Sequence, residues 1–256
     1  MQRILGVKFN ELDKQEYNQK IKEFLESEEQ HMIFTPNAEM LVDAYHDEYF
    51  KEALNRASLN LCDSTGVKFF SGNKLNRIHG VDYFLDICKI AERNKKSIYL
   101  LGSGSQRVIK DLEGKLKEKF PELNISGSSP GPKIEIEREE GFVKLRTNMN
   151  KNNNILHSLI MNPPDILFVA FGHPKQELWI YKHLKDIPGI KIAMGVGGAF
   201  DYISGNVDRA PKWMRKIGME WLYRLFVQPW RIKRIFKALV IFPVLGLITQ
   251  VFKRKK

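Results

Sequence analysis

The chain has 256 residues, of which 43% are hydrophobic, and its 41 Lys or Arg outnumber 30 Asp or Glu to give a net charge of +11. That length and apolar content can bury the core of one large domain, or of a domain with an accessory piece. The two cysteines, Cys62 and Cys88, lack the spacing of metal ligands, so neither a zinc site nor a disulfide framework is indicated, and a reducing cytosol is favoured. The first ten residues carry too short an apolar stretch for a secretory signal peptide.

Short apolar or β-branched runs alternate with helical patterns along the first 208 residues. The runs predict strands over residues 4–9, 31–34, 58–62, 98–101, 166–171 and 190–194. Helical spacing predicts one helix that includes Met40 and Leu54, and another that includes Phe84 and Ala91. This alternation predicts an α/β fold with a mainly parallel sheet, whose ligands gather in loops at the carboxyl ends of the strands. Segment 127–132, rich in Gly and Pro, is predicted to be a surface excursion.

The loops after the second and third predicted strands each carry a polar side chain. Asn37 is expected to cap the helix that follows it, whose N-terminus favours an anion or the oxygens of a sugar; capping alone would explain this residue equally well. Asp63 can take a proton from a bound hydroxyl, or can simply cap the helix that begins near Thr65. Arg77 can pair with a phosphate or with Asp82, and the sequence does not separate the two.

Glycine-containing turns follow the last three predicted strands. The backbone N–H groups at Gly102 and Ser103 can face a diphosphate, although glycine there is also typical of a tight bend. The full dinucleotide-binding fingerprint is absent from that turn, which disfavours a dehydrogenase. His173, next to Pro174, is predicted to orient its neighbours rather than to act as a catalyst. The later turns contribute the remaining candidate ligand contacts, which are Gly172, Lys175, Gln176, Gly195, Gly197, Gly198, Phe200 and Asp201.

Almost all of the surplus charge lies at one end of the chain. Residues 209–256 hold thirteen Lys or Arg and one acid, Glu220, for a net charge of +12, which leaves the first 208 residues at −1. The composition changes near Pro211, a residue well placed to open a helix. We therefore predict an α/β body over residues 1–208 and a basic, amphipathic appendage over residues 209–256.

The appendage is predicted to lie on an anionic membrane surface. Its apolar run, residues 238–252, would reach only about 23 Å as a helix, against roughly 30 Å for the hydrocarbon core, so it is too short to span a bilayer. Tryptophans dispersed among the surrounding bases suit the membrane interface. Alternatively, the run packs back onto the body as an ordinary terminal helix. A nucleic-acid partner is disfavoured, because uninterrupted apolar residues offer nothing to a phosphate backbone.

Several segments, taken together and in chain order, resemble the WecG/TagA/CpsF glycosyltransferases. The match is carried by Thr35-Pro-Asn-Ala-Glu39, Asp63 with Gly66-Val67, Gly80-Val-Asp82, and the segments 164–177, 195–201, 209–213 and 220–224. The later segments are highly specific, and the match covers nearly the whole chain. One departure is Cys62-Asp63-Ser64, which stands where the family pattern is expected to have Pro-Asp-Gly.

The resemblance implies an inverting glycosyltransferase with a Rossmann-like body, peripheral to the cytoplasmic face of the cell membrane. Such enzymes move a sugar from a UDP-sugar to a polyprenyl-diphosphate sugar. In the best-known case, N-acetylmannosamine passes from UDP-N-acetylmannosamine to undecaprenyl-diphosphate-N-acetylglucosamine, which makes the linkage unit of wall teichoic acid. By resemblance, Asp63 is the base, and Thr35, Asn37 and Gln176 hold the donor sugar and the acceptor.

The chain contains no Asp-x-Asp motif, so we predict neither a metal nor another cofactor. The charge that develops on the departing UDP would instead be stabilised by backbone N–H groups of the glycine turns, by helix N-termini and by arginines. We expect Arg215, Arg224 and Arg231 to contact the acceptor diphosphate, or else to face lipid head groups.

Two other functions fit the same residues. One is a related transferase of capsule or exopolysaccharide synthesis that uses another UDP-sugar. The other is a non-catalytic, nucleotide-binding module at a membrane surface, which would bind UDP without transferring a sugar. The sequence gives no symmetry for a homo-oligomer, and that question stays open.

Overall fold

The computed structural model describes the backbone of residues 1–139 and 142–254; the side chains of residues 138–144, 250–256, Lys212 and Lys216 lie outside the described part. Its strands are β1 Gln2–Ile4, β2 Val7–Phe9, β3 His31–Phe34, β4 Leu59–Asn60, β5 Ser97–Gly102, β6 Asn124–Ser129, β7 Ile134–Glu139, β8 Phe142–Thr147, β9 Ile166–Ala170 and β10 Ile192–Gly195. Its helices in the body are α1 Lys14–Glu26, α2 Ala38–His46, α3 Glu48–Asn55, α4 Thr65–Phe70, α5 Gly80–Arg93, α6 Gln106–Lys119, α7 Met149–Met161, α8 Lys175–His183 and α9 Ala199–Ser204. The appendage adds α10 Lys212–Lys216, α11 Glu220–Val227, α12 Ile232–Phe236 and α13 Phe242–Arg254.

Six parallel strands form the central sheet in the order β4-β3-β10-β9-β5-β6. Successive side chains of a strand enter opposite cores: Ile166 and Phe168 of β9 pack with α1, α5, α6 and α9, whereas Leu167 and Val169 pack with α2, α3, α7 and α8. Because helices cover both faces, such a strand is apolar throughout. The structure therefore confirms the α/β fold with a parallel sheet flanked by helices.

Three of the predicted local structures are wrong. Residues 4–9 form a hairpin rather than one strand, because the chain turns at Leu5 and Gly6, which both have positive φ. The helix expected to include Met40 and Leu54 is divided at Asp47, whose extended backbone ends α2 and whose side chain caps α3. Segment 127–132 is not wholly an excursion, since its first three residues belong to the edge strand β6.

The appendage begins in the loop between α9 and α10 and ends in a long helix. This helix runs without interruption from Ile232 to Arg254 through α12, a π-helical turn at Lys237–Ile241, and α13. One face packs onto the body, where Phe242 is fully buried and Ala238, Ile241 and Leu245 are partly buried. The prediction that the run packs back as a terminal helix is therefore confirmed for this face.

The opposite face of the long helix is apolar and open. Its exposed side chains recur at helical spacing and are Ile232, Phe236, Leu239, Val240, Val244, Leu247 and Ile248. Across the described residues, no helix is both long enough and apolar enough to cross a membrane.

Candidate active site

A cavity of about 400 Å³ lies between the body and the appendage. It sits at the carboxyl ends of β3 and β4, which is where an open α/β sheet places its ligands. The body lines it with Asn37, Ala38, Glu39, Asp63, Ser64, Thr65, Gly66, Arg77 and His79, and the appendage with Gly218, Glu220, Trp221, Arg224, Arg231, Arg234, Ile235, Ala238 and Leu239.

The loop after β4 presents Asp63 to this cavity and uses its neighbour for capping. Ser64 is the N-cap of α4, and its hydroxyl accepts from the backbone N–H of Val67. The alternative in which Asp63 caps this helix is therefore wrong. The loop after β3 behaves as predicted, since Asn37 caps α2 by accepting from the N–H of Met40 at 3.1 Å.

Thr35 and Asp63 converge on the first residue of α5. A Cβ atom built on Gly80 would lie 3.4 Å from Thr35 Oγ1 and 3.6 Å from Asp63 Oδ2, so both side chains lie in van der Waals reach of this position. The N-terminus of a helix carries a partial positive charge, which stabilises a nearby carboxylate. Asp63 therefore lies where the N-terminus of α5 stabilises its negative charge. Part of its side chain is open to the cavity.

His79 connects Asp63 with the appendage. Its Nδ1 lies 3.4 Å from Asp63 Oδ1 and 3.6 Å from Oε2 of Glu220, while the other oxygen of Glu220 accepts from Arg224 at 2.6 Å. Burial acts to raise the pKa of Glu220, but the charge and hydrogen bond of Arg224 outweigh it and lower that pKa below its ordinary value. Glu220 is therefore a carboxylate at neutral pH.

Arginines of the appendage give the cavity its positive wall. Arg224 and Arg231 both line it, and each has a buried Nε atom without a hydrogen-bond partner among the described residues. Arg234 also lines it but donates to both oxygens of Glu39 at 2.8 Å. The structure does not bring Arg215 into this group, because its Nε donates to the carbonyl of Ala210.

Arg77 links the body to the appendage rather than to Asp82. Its guanidinium donates to the hydroxyl of Thr65 and, at 2.6 Å, to the backbone carbonyl of Arg215. Asp82 pairs instead with Arg209 at 2.9 Å. The alternative pairing of Arg77 with Asp82 is therefore wrong.

Gln176 lies beneath the last glycine turn and is buried. Its Oε1 accepts from the backbone N–H of Gly197 at 2.9 Å, and its amide lies 2.9 Å from where a Cβ of Gly195 would be. Gln176 thus fixes this turn from below and is not among the residues that line the cavity.

The glycine turns lie at the same edge of the sheet but outside the cavity lining. At Gly102 a Cβ would lie 2.6 Å from the backbone of Ala170, so this glycine permits close packing of two strand ends, whereas Gly172 and Gly197 face open space. Phe200 is a core residue, because it is fully buried beside Phe84. The predicted contacts absent from the lining are Thr35, Gln176, Arg215, Gly102, Ser103, Gly172, Lys175, Gly195, Gly197, Gly198, Phe200 and Asp201.

His173 orients its neighbours, as the sequence predicts. Its Nε2 lies 2.8 Å from Asp43 Oδ2, and Lys237 of the appendage binds the other oxygen of Asp43 at 2.6 Å. Burial acts to raise the pKa of Asp43, but hydrogen bonds from His173 and Lys237 outweigh it and lower that pKa. Ligand atoms of Glu39, Asp43 and His173 lie within 4.8 Å of one another, as in a metal site, but Arg234 and Lys237 already pair with both carboxylates.

Three cavity residues, Glu39, His79 and Glu220, have no role that the sequence predicts. Glu39 lies inside a segment that carries the family resemblance and His79 directly precedes another, but nothing in their local pattern distinguishes them from surface polar residues. Glu220 belongs to the resembling segment 220–224, but its local pattern indicates only one acid in a basic segment. Its place beside His79 depends on how residues 209–249 fold back, which no local pattern encodes.

Comparison with known proteins gives a family and several relatives. The model of the glycosyl transferase WecG/TagA/CpsF family matches residues 2–256. An N-acetylglucosaminyldiphosphoundecaprenol N-acetyl-beta-D-mannosaminyltransferase of Bacillus subtilis (strain 168) is 35% identical over 208 residues, which cover 80% of this chain and 74% of the relative. A protein of the same name from Staphylococcus aureus (strain NCTC 8325 / PS 47) is 29% identical over 245 residues, 93% of this chain and 89% of the relative.

Proposed function

The chain belongs to the WecG/TagA/CpsF family of glycosyl transferases, and we propose that it transfers N-acetylmannosamine from UDP-N-acetylmannosamine to undecaprenyl-diphosphate-N-acetylglucosamine. The relatives named above carry this acceptor and this transferred sugar in their names. The observation that carries the proposal is the cavity itself, where Asp63 of the body faces two arginines of the appendage.

In the proposed reaction Asp63 acts as the general base. Its carboxylate takes the proton of the acceptor hydroxyl as that oxygen forms a bond to the anomeric carbon of the donor sugar. The bond from the anomeric carbon to the diphosphate oxygen breaks at the same time, and UDP leaves with the electron pair. Because the acceptor attacks from the side opposite UDP, the configuration at the anomeric carbon is inverted. Thr35 and Asn37 would hold the sugars near the N-termini of α5 and α2.

The arginines of the cavity are suited to a diphosphate. Burial lowers the pKa of Arg231, and the nearby positive charges of Arg234 and Arg224 lower it further because like charges repel. A bound oxyanion would relieve this repulsion and would accept from the unpartnered Nε atoms of Arg224 and Arg231. We therefore assign these two residues, and not Arg215, to a substrate diphosphate.

We propose that the transfer needs no metal. Guanidinium groups and helix N-termini at the cavity can stabilise the charge of a leaving diphosphate. The cluster of Glu39, Asp43 and His173, whose spacing suits a cation, is held by salt bridges to Arg234 and Lys237 and serves to dock the appendage.

A membrane surface explains the exposed face of the long helix and its link to the cavity. Ile235, Ala238 and Leu239 form an apolar wall of the cavity, and Leu239 is also part of the exposed apolar face. A polyprenyl chain could therefore leave the cavity along this wall and enter a bilayer on which the open face rests. On this proposal the enzyme is peripheral to the cytoplasmic face of the membrane, where UDP-sugars are available.

A panel of UDP-sugars assayed with undecaprenyl-diphosphate-N-acetylglucosamine tests the proposal. We expect transfer from UDP-N-acetylmannosamine, with the product retained in the lipid phase, and undiminished turnover after treatment with EDTA. Preference for another UDP-sugar would instead support a transferase of capsule or exopolysaccharide synthesis. UDP binding without transfer from any donor would identify a non-catalytic module.

A further inference from the structure

His79 occupies the N-cap of α5 without performing the usual function of that position. Its side chain makes no capping hydrogen bond and turns instead between Asp63 and Glu220. The imidazole is mostly buried, so its orientation is fixed by the groups around it. Those groups come from three places: the loop after β4, the segment before α5, and α11 of the appendage.

The neighbours of His79 determine which of its nitrogens carries the proton. Nη2 of Arg77 lies 3.4 Å from Nε2 of His79. A guanidinium can only donate hydrogen bonds, so Nε2 must accept, and the imidazole hydrogen is then on Nδ1. That N–H faces two carboxylates, Oδ1 of Asp63 at 3.4 Å and Oε2 of Glu220 at 3.6 Å.

The appendage controls both sides of this imidazole. Arg77 is held by the backbone carbonyl of Arg215 at 2.6 Å, and Glu220 is held by Arg224 at 2.6 Å. Removing the appendage would therefore release Arg77, the donor that selects the tautomer of His79, and would take away Glu220, the second carboxylate that helps to hold the ring in this orientation. The 3.4 Å from Nδ1 to Asp63 is at the long limit for a hydrogen bond, and the 3.6 Å to Glu220 is a charge contact beyond that limit.

We propose that His79 is the positioning residue through which the docked appendage orients Asp63. Its Nδ1–H binds Oδ1 of Asp63 and leaves Oδ2, on the side of Thr35 and Gly80, to take the acceptor proton. Undocking of the appendage frees the imidazole to adopt the other tautomer, and the carboxylate loses its fixed orientation. This inference rests on the proposed role of Asp63 as the base.

Kinetics of three full-length variants test the inference. Asn can place an amide N–H near the position of Nδ1, whereas Ala cannot, so His79→Asn is the matched control for His79→Ala. We expect His79→Ala to lower kcat by about tenfold or more, with KM for the UDP-sugar changed less than about twofold, since positioning acts on the chemical step. His79→Asn should recover most of the loss, and Glu220→Gln, which weakens the hold on the ring, should give an intermediate kcat.

Ring ¹⁵N spectroscopy of the histidines separates this inference from the proposed function. Long-range ¹H–¹⁵N spectra of the full chain, assigned with His79→Asn, should show the neutral Nδ1–H tautomer at neutral pH, and Phe242→Ala, which loosens the appendage, should shift it toward a mixture. A wild-type enzyme that transfers no sugar would refute the proposed function and leave the tautomer result to stand by itself. An Nε2–H or doubly protonated ring at neutral pH, or a folded His79→Asn as impaired as His79→Ala, would overturn the inference.

Discussion

The ring of Phe242 in α13 packs edge-on against the ring of Phe70 in α4, with 5.1 Å between their centroids and an interplanar angle of 75°. Phe242 has no exposed surface, and a Cβ on Gly66 in the first turn of α4 would lie 3.6 Å from its ring. Because α4 begins directly after Asp63 and Ser64, the seat of the appendage helix adjoins the loop that carries the proposed base. The docking contact of the appendage and the loop of the proposed base therefore meet at one small helix.

Replacing this anchor should loosen the appendage. Phe242→Ala removes a fully buried aromatic side chain, which typically costs about 3–5 kcal/mol. Because the ring stabilises the contact of the appendage with α4, we expect faster cleavage within residues 209–249 under limited proteolysis, while the body remains resistant. Leu247→Ala is the matched control, since Leu247 lies in the same helix but is 58% exposed. Equal cleavage of the two variants would contradict an anchoring role for Phe242.

Acid should also release the appendage, because its ion pairs use carboxylates with lowered pKa values. Asp82 pairs with Arg209 and Asp43 with Lys237; burial acts to raise both pKa values, but the partners outweigh it and lower them. A carboxylate whose pKa is lower when folded contributes stability that is complete above its ordinary pKa, about 3.9 for Asp, and is lost as the pH falls through the folded value. The stability of the docked appendage should therefore be constant around neutral pH and should decrease below about pH 4.

Tryptophan fluorescence can follow this release, since Trp213, Trp221 and Trp230 are in the appendage and Trp179 is in the body. We expect an acid transition of the appendage signal before far-ultraviolet circular dichroism changes. Asp43→Asn should make the docked state less stable at pH 7 and flatten its dependence on pH. A single coincident transition of both signals would show that the appendage does not undock separately.

Asp63→Asn should remove turnover while the donor still binds. An amide cannot accept the hydroxyl proton, and loss of a general base typically costs about 10²–10⁴ in rate. Isothermal titration with UDP should give a Kd within about threefold of the wild type, since Asp63 is not assigned to the diphosphate. Asp111→Asn, an exposed substitution in α6, serves as the control and should keep full activity. Normal turnover of Asp63→Asn would assign the base elsewhere.

The sheet could be predicted from the sequence because burial on both faces gives long apolar runs, as in β9 and β10. The charged strands β7 and β8 gave no such run, and their antiparallel pairing depends on contacts between segments. The candidate site, like the sheet, could be predicted only where a local pattern marks its residues. Asp63 and Asn37 are found by their place after strands, a local feature.

The position of the appendage could not be predicted from local pattern. A helix with two apolar faces has the same composition whether one face or both are buried. Only the packing of Phe242 beside Gly66 of α4 shows which face binds the body. The contacts of Arg224, Arg231 and Glu220 with the cavity follow from that packing. Arg224 has Glu220 four residues before it, whereas the side chain of Arg215 is held by the backbone carbonyl of Ala210, a partner that its side-chain pattern does not indicate.

Arg231→Gln should weaken binding of the lipid diphosphate. The substitution removes a cavity cation that has no ion pair among the residues described, so Glu39 and Glu220 keep their own partners. A charge-assisted hydrogen bond contributes about 1.5–3 kcal/mol, so KM for the lipid acceptor should rise roughly ten- to a hundredfold. Lys233→Gln is the matched control, because Lys233 is exposed only two residues further on, in α12, and does not line the cavity. A similar change in both variants would indicate a general effect of charge at the membrane.

Charges placed on the open face of the long helix should reduce membrane binding without undocking the appendage. Val244 and Leu247 are 51% and 58% exposed on that face, so Val244→Glu with Leu247→Glu leaves the contact of Phe242 with the body intact. Burying two such side chains in the bilayer interface stabilises binding, and each acid is also repelled by anionic lipid, so partition onto phosphatidylglycerol vesicles should weaken by about tenfold or more.

Ile160→Glu provides the control for this pair, because Ile160 is a 43% exposed apolar residue on α7 of the body. Like the two substitutions of the long helix, Ile160→Glu replaces an apolar side chain by an acid, but it lies outside the appendage. Binding of this variant to vesicles should therefore stay near the wild-type level. Transfer to a water-soluble acceptor with a shortened lipid should be unaffected in all three proteins, since none of these residues lines the cavity. If the double variant sedimented with vesicles as well as Ile160→Glu does, the open face would not be the membrane-binding surface.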